Sequence, residues 1–600
     1  MALQREALID VAMGYEPADT IVTGGRVVNV HTGTIKAEGI AIKGERIAAV
    51  GDVAYAVGDD TEVIDAEGRF LVPGLIDPHC HQWHTYANST VFAACRLLHG
   101  STTIVDGFYG HAIVNGLRAS RYFLDELLAT PVKPIFVTPT MCYTQNRGIG
   151  FPASPNAPSI EDLRDSLTWP ETKGIEEISP ELMLYQNQRD RALLSLMEEA
   201  LDMGKVIQGH SAGMTDEKIT NAWVASGIMH NHEIVNASET RRQAELGIWI
   251  VIREGSACKD IEACLPVITE EGYHARAFQL CTDVITPDWM LERGQMDNAI
   301  RVAVQNGMDP MTAIQMSTIQ PAEFYRVNHD MGMIAAGRFA DIVFVDTLEG
   351  FEIDRVMANG RVWVEGGKLV SQLKNPDYPD WLYGTMNIDR VLKPEDFRIE
   401  APAGAGDTVK VQCINTRDGS LETPGSVETL PVVDGFVQAD PENGINKICM
   451  IDRIMGTGEV GVAFVKGFGI KEGCIGTTAN VFNQNIVLVS ASDEDMAAAA
   501  NETIKMDGGF IALRNGSVEA SLPTPLNGLA SDLPFDELFE RQFKLIDAWR
   551  DMGCELETPQ MNLEFVSLVT IPYYRISTKG LAYMTQDRFE LAELFVDEAA

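Results

Sequence analysis

Short apolar runs broken by turn residues fill the first part of the chain, as in Ile21-Val-Thr-Gly-Gly-Arg-Val-Val-Asn-Val30 and Gly39-Ile-Ala-Ile-Lys-Gly-Glu-Arg-Ile-Ala-Ala-Val50. Strands this short, with turns this close, predict a small β-sandwich. The same pattern returns in residues 337–346 and 354–365. Between the two stretches the rhythm changes, and short apolar strands alternate with segments of helical period. Eight such strands end near His79, Asp106, Pro139, Glu177, His210, His232, Arg253 and Asp283. Eight βα units in roughly 250 residues is the size of a (β/α)8 barrel. The predicted class is therefore α/β: a TIM-type barrel over 71–332, inserted in a β-sandwich built from 1–70 and 333–371. Residues 372–405, rich in Pro, Asp, Gly and Ala, read as a linker. Residues 406–600 read as a separate α/β domain with helices over 493–506 and 534–552.

Composition narrows the partners. Asp plus Glu number 86 against 47 Lys plus Arg, a formal charge of −39. A field of that sign repels phosphate backbones and anionic lipid, so neither nucleic acid nor membrane is an expected partner. Ten cysteines without a CxxC pair fit a reduced protein better than a disulfide framework. The first residues lack the apolar core of a signal peptide, and no apolar run approaches the roughly 20 residues that span a bilayer. The expectation is a soluble, cytoplasmic protein.

The strand ends carry the chemistry. In Leu71-Val-Pro-Gly-Leu-Ile-Asp-Pro-His-Cys-His81 a buried strand ends in two histidines one residue apart. Positions i and i+2 of a strand face the same way, so His79 and His81 can share one ion while Cys80 points into the packing. Barrel enzymes place reactive groups at the C-terminal ends of several strands, where Glu177, His210, His232 and Asp283 are also found. Four of only eleven histidines fall at these ends. A His/carboxylate set without thiolate suits Zn²⁺, Mn²⁺ or Fe²⁺. Two ions bridged by a carboxylate would bring the pKa of a shared water towards neutrality, and Asp283 could take its proton and pass it to a leaving nitrogen. Near the predicted mouth, Trp83 and Tyr109 are candidates to stack on a ring. His84 and His111 are candidate contacts there, while Arg253 and Glu254 are candidates to orient the metal ligands.

The family resemblance rests on Pro73-Gly-Leu-Ile-Asp-Pro-His-Cys-His81, Gly174-Ile-Glu-Glu177, Gly209-His210, His232-Glu233, Ile252-Arg-Glu-Gly-Ser-Ala257 and Leu280-Cys-Thr-Asp283. It continues through Gly332-Met-Ile-Ala-Ala-Gly337, Gly467-Phe-Gly-Ile470, Asp493-Glu-Asp-Met496 and Leu522-Pro-Thr-Pro525. Over nearly its whole length the chain resembles the amidohydrolase superfamily and, within it, the adenine deaminases. The resemblance implies two divalent ions, manganese or iron before zinc, with His79, His81 and Asp283 on one, His210 and His232 on the other, and Glu177 bridging. It also implies a homo-oligomer acting on a small heterocycle. The sequence departs from the family on the substrate side. Gln82-Trp83-His84 stands where an Ile-Glu-Ser is usual, Ala112 where a glutamate is, and Val284 where a second aspartate follows Asp283. Gln295 replaces a helix-borne histidine, and Val481-Phe-Asn-Gln484 replaces a His-Asp-Ser-His segment. Exchanging buried carboxylates and imidazoles for these groups removes hydrogen-bond partners worth about 1–3 kcal/mol each. Two readings follow: hydrolytic deamination of adenine or a related aminated heterocycle, or opening of a cyclic amide or imide at the same metal centre.

Overall fold

A computed structural model describes residues 2–144, 154–180, 189–214, 216–481, 483–568, 573–584 and 589–596. Phe482, one of the positions at which the sequence departs from the family, lies outside them. Eight parallel strands form one sheet in chain order: β1 (Leu75–Asp77), β2 (Ser101–Asp106), β3 (Lys133–Thr138), β4 (Thr172–Ile178), β5 (Val206–Gly209), β6 (His230–Asn231), β7 (Trp249–Arg253) and β8 (Phe278–Cys281). The ring is closed just past the ends of β1 and β8. Asp283 N donates to His79 O at 3.0 Å, and His81 N donates to Asp283 O at 3.1 Å. Closure therefore fixes the backbones of His79, His81 and Asp283 against one another.

A buried polar lock sits one layer below this seam. The Arg96 Nη1 group donates to Asp77 Oδ2 at 2.7 Å, and Thr282 Oγ1 donates to the same oxygen at 2.5 Å. Both members of the ion pair are fully buried. Removing one partner leaves an uncompensated buried charge, which costs about 3–5 kcal/mol. Arg96→Met is expected to unfold at clearly lower urea concentration than wild type. An unchanged midpoint would show that the pair does not hold the seam.

The strands that flank the barrel in sequence pair with each other. Phe70–Pro73 runs antiparallel to Ile342–Val345 within a seven-stranded sheet. A four-stranded sheet containing Thr20–Thr23 and Gly39–Lys43 lies against it, and Val22, Ile40, Ile42, Leu71, Ile342 and Phe344 share one apolar core. Beyond the barrel, a ten-stranded sheet carries the helices Asp493–Lys505 and Phe535–Asp551. All of its neighbouring strands are antiparallel except Thr408–Asn415 beside Val460–Lys466.

The stretch 372–405 is not a free tether. Leu382, Leu392 and Phe397 are buried, Ile399–Glu400 pairs with Phe436–Val437, and Asn501 bonds both backbone groups of Leu392. Its Pro and Asp residues suggest a linker, but the apolar side chains between them have a core to enter. One apolar cluster runs from the barrel into the C-terminal domain, including Phe108 and Tyr86 on one side and Phe510 and Trp549 on the other. Among the described residues, no helix is long and apolar enough to cross a membrane.

Candidate metal centre

Six side chains converge at the C-terminal end of the barrel. Glu177 Oε1 lies 3.3 Å from His79 Nε2, 3.1 Å from His81 Nε2, 3.6 Å from His232 Nε2 and 4.0 Å from His210 Nδ1. Asp283 Oδ1 lies 3.5 and 3.4 Å from the Nε2 atoms of His79 and His81. Three overlapping donor groups result: His79, His81 and Glu177; His79, His232 and Asp283; Glu177, His210 and His232. Donors held at 2.0–2.2 Å from one ion sit roughly 3–3.5 Å from each other, the spacing seen for most of these pairs. His79 Nε2 and His210 Nδ1, both facing the carboxylates, have no hydrogen-bond partner. Buried donors left unbonded at that spacing fit divalent ions, and all six donors are nitrogen or oxygen.

The backbone is strained where the carboxylates enter. Glu177 and Asp283 have φ of 49° and 54°, a left-handed conformation that non-glycine residues rarely adopt. Such positions cost on the order of 1–3 kcal/mol and cluster at functional sites. In β4, the twist after Glu176 turns the next side chain into the barrel, so two adjacent glutamates both end up buried. They behave oppositely. Burial raises both, but His81 and His79 hold Glu177 well below the usual carboxylate range, whereas the charge of Glu177 drives Glu176 further up. Asp283 is also held well below, because contacts with His79 and His81 outweigh its burial. Burial lowers His79, yet Asp283 and Glu177 lift it to about 9.

Arg253 links the two halves of the cluster. Its Nη1 lies 2.6 Å from Glu233 Oε1 and 3.4 Å from Asp283 Oδ2, while Nε bonds Asp260 at 2.7 Å. Glu233 is a site residue that the candidate set lacks, and its Oε1 is 3.5 Å from His232 Nε2 and 3.7 Å from His210 Nδ1. Burial opposes its ionisation, but Arg253 and His210 bring it down to about 2. Strand alternation would send Glu233 away from His232, but β6 ends at Asn231. The rule no longer applies there, and the signals for Glu233 are its adjacency to His232 and the His232-Glu233 motif of the family resemblance.

The mouth residues divide. Tyr109 stands edge-on to His81, with ring centroids 5.1 Å apart. Trp83 has no free face to stack on a substrate: His84 covers it at 3.6 Å, and a Cβ on Gly110 would fall 2.7 Å from the indole. His111 lies elsewhere, with its nitrogens bonded to Gln82 Oε1 and Asn527 Nδ2, both at 3.2 Å. The charged neighbours acting on Glu254 are Lys259 and Asp260, and burial takes its carboxyl up to about 7. His230 lies under the cluster, 6.2 Å from His79 by ring centroid, with neither nitrogen bonded.

Residues 70–363 match the model of the amidohydrolase family, and residues 420–588 match that of the adenine deaminase C-terminal domain. A protein of Moorella thermoacetica named adenine deaminase is 36% identical over 589 residues, covering 98% of this chain and 97% of that protein. Proteins of the same name from Clostridium botulinum strain Langeland and Mesorhizobium japonicum are each 34% identical. The first covers 99% of this chain and 98% of its own length, and the second 98% and 96%.

Proposed function

The chain belongs to the adenine deaminase family of amidohydrolases, hydrolases acting on C–N bonds, and from that premise we propose that it hydrolyses adenine to hypoxanthine and ammonia. The observation that carries this reading is Glu177 Oε1, one carboxylate oxygen within 4.0 Å of four imidazoles, with Asp283 beside it. His79, His81, Glu177, His210, His232 and Asp283 would hold two divalent ions. When bound, the ions bring the pKa of a shared water towards 7 and so supply the nucleophile at neutral pH. Manganese or iron before zinc is our reading of their identity, taken from the family resemblance; a donor set without thiolate suits all three.

The remaining work falls to side chains. The water oxygen bonds to C6 of the ring as the C6–N1 π pair moves to N1, one water proton passes to Asp283 and the other ends on N1. Asp283 then gives that proton to the exocyclic nitrogen, the C6–N bond breaks, and ammonia leaves. Arg253, bonded to Asp260, fixes the Oδ2 side of Asp283 and leaves Oδ1 facing the imidazoles. Burial and the charge of Glu177 push the Glu176 carboxyl well above its ordinary range, which opposes a second charge beside Glu177. Similarity that extends through the C-terminal domain favours deamination over ring opening of a cyclic amide. Among the described residues no disulfide joins the cysteines, which supports a reducing compartment such as the cytoplasm.

Protein loaded with Mn²⁺ should release ammonia from adenine and contain about two ions per chain. Full loading without ammonia would overturn the substrate, and cyclic amides would be assayed next for a new carboxylate.

A further inference from the structure

The pairing of β5 with β6 stops at Gly209 opposite Asn231, immediately before His210 on one strand and His232 on the other. Past that point the Asn231 side chain continues the pairing. Its Nδ2 donates to Ser211 O at 2.9 Å, and its Oδ1 accepts from Ser211 N at 3.2 Å. A carboxamide carries the same kinds of donor and acceptor as a peptide group, so it extends the ladder beyond the last strand residue. The same Oδ1 accepts from Glu233 N at 3.2 Å, which turns the chain tightly around His232. One amide thus holds the residue after His210 and the residue after His232.

That amide is itself held from behind. Its Nδ2 also donates to Gln243 Oε1 at 2.9 Å, on the helix Ala237–Glu245. Gln243 Nε2 donates to Glu239 Oε1 at 3.3 Å, and Glu239 accepts from Met214 N at 3.0 Å and from Val235 N at 3.4 Å. Met214 and Val235 lie further along the same two loops. Asn231, Glu239 and Gln243 are all buried. Both N–H groups of the Asn231 amide and both acceptor sites of its oxygen are used, so it is held in one orientation. The rings of His210 and His232 lie 5.5 Å apart in front of it.

We propose that Asn231 is a positioning residue for the metal centre: by tying Ser211 to Glu233 it sets the spacing of His210 and His232, the two imidazoles that share an ion. Ligands fixed in advance bind an ion without the cost of ordering two loops. The inference rests on the two-ion reading of the centre, and not on adenine as substrate.

Full-length protein loaded with Mn²⁺ is equilibrated against chelator-buffered Mn²⁺, and the ions retained per chain are counted in wild type, Asn231→Leu and Asn231→Asp. Leu is close to Asn in size and makes none of these bonds. Groups that orient metal ligands typically account for about 10–100-fold in affinity, so in Asn231→Leu one ion should require that much more free Mn²⁺ while the other stays within about threefold. Added to His210→Ala, which lacks the ligand in question, Asn231→Leu should change retention of the remaining ion by less than about threefold. A merely structural role would weaken both ions together. Asp keeps the bonds from Ser211 N and Glu233 N and loses both donations. Its charge alone would attract a cation, so weaker retention in Asn231→Asp reports the lost bonds. Should Asn231→Leu fail to fold, Asn231→Asp decides. Wild-type retention in either variant, or equal weakening of both ions, would overturn the proposal. Wild-type protein that holds fewer than two ions would overturn the centre and the proposal together, whereas two retained ions without ammonia from adenine would overturn the substrate alone.

Discussion

Glu177→Gln is expected to lose most of its bound metal and to release ammonia at less than about a thousandth of the wild-type rate, a loss of over ~4 kcal/mol in transition-state stabilisation. Among the described residues, Glu177 is the only carboxylate within 4.0 Å of all four imidazoles, for Asp283 reaches His79 and His81 while Glu233 reaches His210 and His232. Glutamine keeps the size and removes the charge, so the imidazoles remain without the anion they share. Bulk water has a pKa of about 15.7, against about 7 next to bound metal, so little nucleophile is left at neutral pH. Metal analysis and an ammonia assay on the same sample check this. Full metal content with near wild-type turnover would remove Glu177 from the centre.

Asp283→Asn should separate chemistry from loading. Loss of a general acid–base group typically lowers kcat by about 10²–10⁴. The group formed by Glu177, His210 and His232 does not include Asp283, so metal content should fall towards one ion per chain and not to none. Asn tolerates the left-handed backbone that Asp283 adopts at φ 54°, and the fold should persist. The comparison that matters is between the two variants, which should differ in metal content more than in activity. Wild-type kcat in Asp283→Asn would take the proton transfer away from this residue.

The ligand candidates were legible because a barrel places strand ends together, so a histidine or carboxylate at each strand end is a spatial statement made in one dimension. The β-sandwich strands showed themselves by period and turn residues in the same way. Glu233 was not legible, since the two-residue β6 ends before the alternation rule can be applied to it. Trp83 shows the opposite failure: an aromatic beside a metal histidine suggests a stacking surface, but His84 and Gly110 occupy its faces.

The sequence by itself determined the barrel and placed six histidines and carboxylates at its strand ends, because each depends on local periodicity and on residue type at a strand end. Only the tertiary structure decided how charge is arranged around them: Glu177 shared by four imidazoles, Arg253 spanning Glu233 and Asp283, and Glu564 meeting His84. Glu564 stands 480 positions from His84, a contact no local pattern encodes. Burial then sets the chemistry, for an acidic side chain is ionised or neutral according to which cation lies beside it in a site that excludes bulk water.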